Sequence, residues 1–194
     1  MERDGIFYIS ESYTRNDYLA LNLNENSSNK DWKRAVDIFY ERIYGRFLKP
    51  ADLLSNEVEK NGFAIMTLLT PVIETLAQFK EGINNSKGCS KDLYIRFLQS
   101  EFGDLFNRKK LAECFYYGVR CGILHSAQTQ DNVVLTKQDV PIRVENNRCI
   151  FINVPRMLER VKCYIKEYTE RLVAGEDREL RCNFITKMEC ICNR

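Results

Sequence analysis

Two residues carry the chemistry this chain could do. His125 is the only histidine among 194 residues, and it follows Arg120 by five positions in the run Tyr116-Tyr117-Gly118-Val119-Arg120-Cys121-Gly122-Ile123-Leu124-His125-Ser126. Imidazole titrates near neutral pH and can take or give a proton, whereas guanidinium stays charged and suits phosphate oxygens. Together they form a minimal kit for cleaving a phosphodiester. The plainer alternative is a helix-end histidine that is simply hydrogen-bonded.

Geometry constrains the pair. On a straight α-helix five positions turn the chain by about 500°, which leaves the two side chains about 140° apart. They meet over one phosphate only if Gly122 lets the chain leave helical geometry, or if a two-fold dimer supplies a second copy of each. Small residues at Cys114, Gly118, Cys121 and Gly122 would let another helix approach closely, from the same chain or from a second subunit.

Other residues could support the pair. Glu74 follows Pro71 on an otherwise apolar helix, where an unpartnered charge is expensive. It is read either as an edge or salt-bridge residue, or as an acid that orients Arg120 or His125. Cys121, Ser126, Tyr117 and Gln128 are further polar candidates close to the pair. Arg108, Lys109 and Lys110 open the helix leading to Arg120 and are candidate phosphate contacts, with Arg156, Arg160 and Lys162 on a later helix.

Arginine and histidine at this spacing, behind an aromatic-rich helix, resemble the signature of the HEPN superfamily, small helical-bundle proteins that include RNA-cleaving toxins and prokaryotic defence nucleases. The resemblance covers the motif at 120–125 and the helical pattern from about 30 to 172. It implies a dimer with a composite site, no metal or other cofactor, RNA as substrate, and an antitoxin or defence-system partner. Cys121 is a departure, because the residue after the arginine is often asparagine, aspartate or histidine in these nucleases. The competing reading is a HEPN-like module that binds RNA, nucleotide or protein without cutting, and a third is a helical scaffold held by the pair.

Composition narrows the class. With 44% hydrophobic and 11% aromatic residues, the chain has material for one sizeable core, and a net charge of +2 gives no global field for nucleic acid. No run of 18 apolar residues is present and the N-terminus lacks a secretory pattern, so the chain reads as cytoplasmic with no membrane span. Eight cysteines in a chain of this length do not suggest a disulfide miniprotein. Cys182, Cys190 and Cys192 form C-x7-C-x-C without paired C-x2-C knuckles, so reduced structural thiols are favoured over zinc.

The elements that would position the pair follow from periodicity. Residues 1–29 read as an N-terminal arm with a short strand over 4–10, and 30–174 as the helical domain. Trp32, Val36, Phe39, Ile43 and Phe47 predict a helix over 30–48, capped by Asn29 and stopped by Pro50. A buried helix over 57–79 kinks at Pro71 and ends at Gly82. A third helix spans 90–102, and a fourth, capped within 104–107, carries the pair. Residues 139–144 and 148–154 around Glu145-Asn146-Asn147 read as a β-hairpin, and Pro155 opens a last long helix closed by Gly175. Residues 175–194 form a C-terminal extension. The fold expected is mainly α: a bundle of four or five helices with a small β-hairpin before the last long one.

Overall fold

A computed structural model describes residues 2–3, 5–57, 61–130, 132–137, 140–146 and 149–193. The protein is mainly helical with a small sheet near its C-terminal region. The N-terminal segment is more structured than an arm. Strands β1 (Glu2–Arg3) and β2 (Ile6–Phe7) pair antiparallel, and helix α1 (Arg15–Leu19) follows, closed by a capping box between Thr14 and Asp17. Ile9 and Tyr18 are buried in the same core as the helices. Asp4, at the start of the expected strand, lies outside the described residues.

Helix α2 (Asn29–Ile43) begins one residue earlier than periodicity suggests, because Ser28 rather than Asn29 caps it by accepting the Asp31 N–H. Its apolar stripe buries Trp32, Phe39 and Ile43 and half-buries Val36, and Phe47 beyond its end is half-buried as well. Pro50 does not stop it. A π-helical turn (Tyr44–Leu48) leads into α3 (Lys49–Asn56), with Pro50 in its first turn. The widened turn alters the backbone ladder where the proline ring and missing N–H would break an α-helix.

Helix α4 (Gly62–Glu81) is the centre of the molecule and runs through Pro71, whose ring lies on the exposed side. Residues 58–60 of the expected helix lie outside the described residues. Gly82 ends it at φ 64°, the left-handed conformation that glycine adopts without a Cβ clash. By length and composition α4 is apolar enough to cross a membrane. In this fold Ile65, Met66, Leu69, Ile73 and Leu76 of α4 are fully buried among the other helices.

Helix α5 (Ser90–Glu101) buries Leu93, Tyr94 and Phe97. The cap expected within 104–107 is not the one used. Arg108 precedes α6 (Lys109–Cys114) without any side-chain cap, and the Asp104 carboxylate pairs with Arg160. A seven-residue π segment (Phe115–Cys121) then passes into α7 (Gly122–Ser126) without a break.

The predicted hairpin is part of a three-stranded sheet. Strands β4 (Ile142–Glu145) and β5 (Cys149–Asn153) are antiparallel, and β3 (Val133–Thr136) lies parallel to β5 on its other side, giving the order β3-β5-β4. Asn146 turns the hairpin at φ 51°, whereas Asp139, Asn147 and Arg148 lie outside the described residues. The Asn153 side chain accepts the Arg156 N–H and starts α8 (Val154–Ala174), which buries Leu158, Val161, Ile165, Tyr168 and Leu172 and ends at Gly175.

The last segment belongs to the core. Asp177 caps α9 (Arg178–Cys192), whose Phe184 sits against Trp32, Phe39 and Phe79. Phe184 is fully buried, worth roughly 1.5–3 kcal/mol relative to exposure. Arg181 holds the segment in place by donating to the Leu172 carbonyl at 2.8 Å and the Val173 carbonyl at 3.2 Å, with its guanidinium over the Trp32 ring. Among the described residues no cysteine is in a disulfide. No three His, Cys, Asp or Glu side chains gather there as they would around a metal ion. Cys182 is exposed and Cys192 buried, so the cysteines of the tail do not share one face.

Candidate functional site

The two residues singled out by chemistry lie on one continuous helix, residues 109–126, with Arg120 inside its π segment and His125 on the α-helical turn that follows. The wide turn leaves the Gly118 carbonyl without its usual helical donor. The Gly122 N–H bonds to the carbonyls of Tyr117 and Val119 instead, and Gly118 accepts the Gln130 N–H at 2.8 Å. The loop after the helix is thereby folded back onto it.

That contact explains both glycines. A Cβ on Gly118 would stand 2.5 Å from the Val133 side chain and 2.7 Å from the Gln130 carbonyl oxygen. A Cβ on Gly122 would stand 2.6 Å from the Gln128 carbonyl oxygen. The close approach at Gly118 and Gly122 is therefore made by the chain's own Gln128, Gln130 and Val133 and not by another helix. Gly122 is also not a break, since φ −57° and ψ −52° are helical. Within one chain the arginine and histidine stay well separated around the helix.

Arg120 is held from the opposite side by Glu74. The Glu74 Oε2 accepts from Arg120 Nη2 at 3.0 Å and Nε at 3.3 Å, and the two side chains are only 13% and 19% exposed. The ion pair fits both sequence readings of Glu74, a salt-bridge residue and an acid that holds Arg120, and it excludes only the exposed edge. Its other oxygen accepts from the hydroxyls of Ser86 and Ser90, the latter at 2.8 Å, and the Tyr116 hydroxyl reaches Ser90 Oγ at 3.3 Å. The guanidinium lies 5.5 Å from the Tyr116 ring centroid, a cation–π arrangement.

Burial alone would raise the Glu74 pKa, but the hydroxyls of Ser86 and Ser90 and the charge of Arg120 outweigh it and hold the carboxyl below its ordinary range. Burial likewise opposes the charge on Arg120, and Glu74 more than restores it. The Tyr94 phenol stands behind this network, fully buried and without a hydrogen-bond partner among the described residues. Burial, with the negative charge of Glu74 nearby, raises its pKa well above the usual tyrosine range.

His125 is exposed near the end of α7, and among the described residues no hydrogen bond or ion pair engages its ring. Ala127 closes the helix in the left-handed conformation at φ 53°. Ser126 accepts from the Gln130 side chain at 2.8 Å and so belongs to the folded-back loop. The Cys121 thiol is half-buried, 3.8 Å from Arg120 Nη1, a weak contact. Tyr117 is exposed, with the Lys91 ammonium 5.1 Å from its ring centroid.

The basic candidates are not beside the pair. Arg108, Lys109 and Lys110 are exposed at the far end of the helix, roughly 15 Å from Arg120 by helical rise. Arg160 is taken up by Asp104 and the Glu101 carbonyl, and Lys162 by Asp52 and Glu159. Sequence reasoning missed Ser86, Ser90 and Tyr116. The signal was present in the polar 84–90 turn and in the need of a buried carboxylate for donors.

Several exposed apolar side chains lie on the two helices that meet at the Glu74–Arg120 pair. On α4, Phe63, Ala64, Thr67 and Pro71 are exposed along one helix face that leads to Glu74. Tyr117 and Leu124 flank Arg120 on its own helix and are 41% and 63% exposed. The Glu74–Arg120 contact brings these two faces side by side. Comparison with known proteins adds no relative to this picture, since no family model, curated protein or solved structure matches the chain.

Proposed function

We propose that the chain is a metal-independent ribonuclease of the HEPN type, a helical bundle that acts as a homodimer in the cytoplasm as a toxin or antiviral defence effector. The observation that carries this reading is an arginine locked in place by a buried carboxylate, with an unengaged imidazole exposed on the next turns of the same helix. Dimerisation through the open face of Phe63, Pro71, Tyr117 and Leu124 would bury apolar surface and bring two copies of each residue to one cleft. The interface proposed here uses the outer side of the helix that carries Gly118 and Gly122, since the chain's own loop occupies the side next to the two glycines.

In that cleft one His125 removes the proton of the ribose 2′-hydroxyl, and the 2′-oxygen attacks phosphorus. The bond to the 5′-oxygen breaks, and the second His125 donates a proton to that oxygen. Arg120 balances the charge that develops on the phosphorane, and Glu74 keeps its fork in position. The products are a 2′,3′-cyclic phosphate and a 5′-hydroxyl end.

A second reading rests on the same ion pair. Nε and Nη2 of Arg120 are already engaged by Glu74, which leaves Nη1 as the main donor for a phosphate. A site so satisfied suits a HEPN-like module that binds RNA, nucleotide or a protein without cutting it. Incubating the purified chain with RNA and with DNA of the same sequence separates the two. Cleavage of RNA alone, with cyclic phosphate ends and loss of activity in His125→Ala, supports the nuclease. Full activity in folded His125→Ala protein overturns it, and binding without cleavage favours the module.

A further inference from the structure

The far end of the motif helix faces a second feature, independent of the Arg120 chemistry. A cleft of about 400 Å³ lies between the turn before α6 and strand β4. Its apolar wall is made by Leu105, Leu111, Ile142 and Val144, and Arg108 stands on its rim. Among the described residues no carboxylate pairs with Arg108, Lys109 or Lys110, which are all exposed. The one acid lining the cleft, Asp104, is paired with Arg160 at 3.4 Å. Arg108 is therefore the cationic side chain that the cleft offers, with Lys109 and Lys110 next to it in sequence, and the one lining acid is already engaged.

Beside it is an open strand edge. β4 is the outer strand of the order β3-β5-β4. The Asn153 N–H donates to the Pro141 carbonyl, and Ile150 donates to Asn132 on the β3 side, so even residues of β5 face β3 and odd ones face β4. The register Arg143↔Phe151 and Glu145↔Cys149 then turns the backbone groups of Arg143 and Glu145 inward, leaving the N–H and C=O groups of Ile142 and Val144 directed outward. These are the same two residues whose side chains line the cleft. Among the described residues no other segment hydrogen-bonds to this outer side.

We propose that the β4 edge and its cleft dock an extended acidic peptide segment of a partner protein. The segment adds as a fourth strand, its backbone pairing with Ile142 and Val144, while an apolar side chain enters the cleft and flanking Asp or Glu residues meet Arg108, Lys109 and Lys110. A peptide fits better than RNA, because the edge offers alternating amide donors and acceptors at strand spacing, a pattern that RNA does not match.

The test is selection of a displayed library of random dodecapeptides on the full-length chain. Enriched peptides should alternate apolar residues with Asp or Glu, and their binding should slow amide exchange at Ile142 and Val144. Val144→Pro removes an outward donor while leaving the β5 ladder intact, as proline is tolerated on an edge. It should weaken the selected peptides at least tenfold with RNA cleavage or binding unchanged. Arg108→Glu with Lys110→Glu should weaken them at least tenfold by an independent route. A library that yields no peptides discriminating these variants, enrichment without acidic residues, or protection of the same amides by oligouridylate instead of peptide overturns the proposal.

Discussion

Glu74 and Arg120, 46 residues apart in sequence, meet at 3.0 Å on two helices that no local rule would bring together. The pair is mostly shielded from water, and each partner is further bound by groups that the other does not touch. Removing one side leaves a desolvated charge, which is a larger loss than the pair itself provides.

Glu74→Gln is therefore expected to cost about 2–3 kcal/mol, below the usual range for a fully buried pair because some water reaches both side chains. Urea unfolding measures it. Adding Arg120→Gln to the first change should recover part of the loss, as expected for coupled neighbours. A cost under about 0.5 kcal/mol would mean that the two groups are effectively solvated.

The pH dependence has a definite sign. The folded pKa of Glu74 lies below its ordinary value of 4.5, so its contribution is fully present above that value and is lost as pH falls through the folded pKa. The stability gap between wild type and Glu74→Gln should be constant from pH 7 to about 5.5 and shrink below about 4.5. Asp17 and Asp177, which cap helices and are also lowered, add slope to both proteins equally and do not affect the difference. A gap that widens in acid would reverse the assignment.

Gly118→Ala is expected to destabilise the chain although alanine is the better helix former. The new methyl meets the Gln130 carbonyl at 2.7 Å, and overpacking of about 1–3 kcal/mol exceeds the roughly 1 kcal/mol gained in propensity. Sedimentation should show the oligomeric state unchanged, because the crowding is within one chain. A change in assembly without a change in stability would place a second subunit on the stripe.

Ala127→Gly should have the opposite effect. Ala127 holds φ 53° at the end of α7, a conformation that costs an alanine roughly 1 kcal/mol and a glycine almost nothing. A rise in melting temperature of a few degrees is expected for a chain of this size, and a fall would show that the methyl makes a contact worth more than the strain.

His125→Ala should leave stability within about 0.5 kcal/mol of wild type, since the ring is exposed and makes no hydrogen bond among the described residues. If the proposed ribonuclease reading holds, a loss of RNA cleavage in this variant would then be chemical. A large loss of stability in the same variant would favour the scaffold reading.

What the sequence by itself determined is local. Apolar spacing marked α2, α5 and α8, β-branched residues around Glu145-Asn146-Asn147 marked the hairpin, and a carboxylate inside the apolar stretch of α4 signalled a need for a partner. These follow from periodicities of 3.6 and 2 and from the cost of a buried charge, all of which act within a few residues. Tertiary structure decided the rest. β3 became a strand by pairing parallel to β5 across a gap in sequence, a preference that four residues do not encode alone. The helix continued past Pro50, and the motif helix widened into a π segment, because packing and the Gln130 bond favour a backbone that propensity does not. Gly118 and Gly122 announced a close approach, but only the fold showed that the chain's own loop makes it. The identity of the partner is a non-local fact, and so is the choice of Arg120 over His125 as the residue that Glu74 holds.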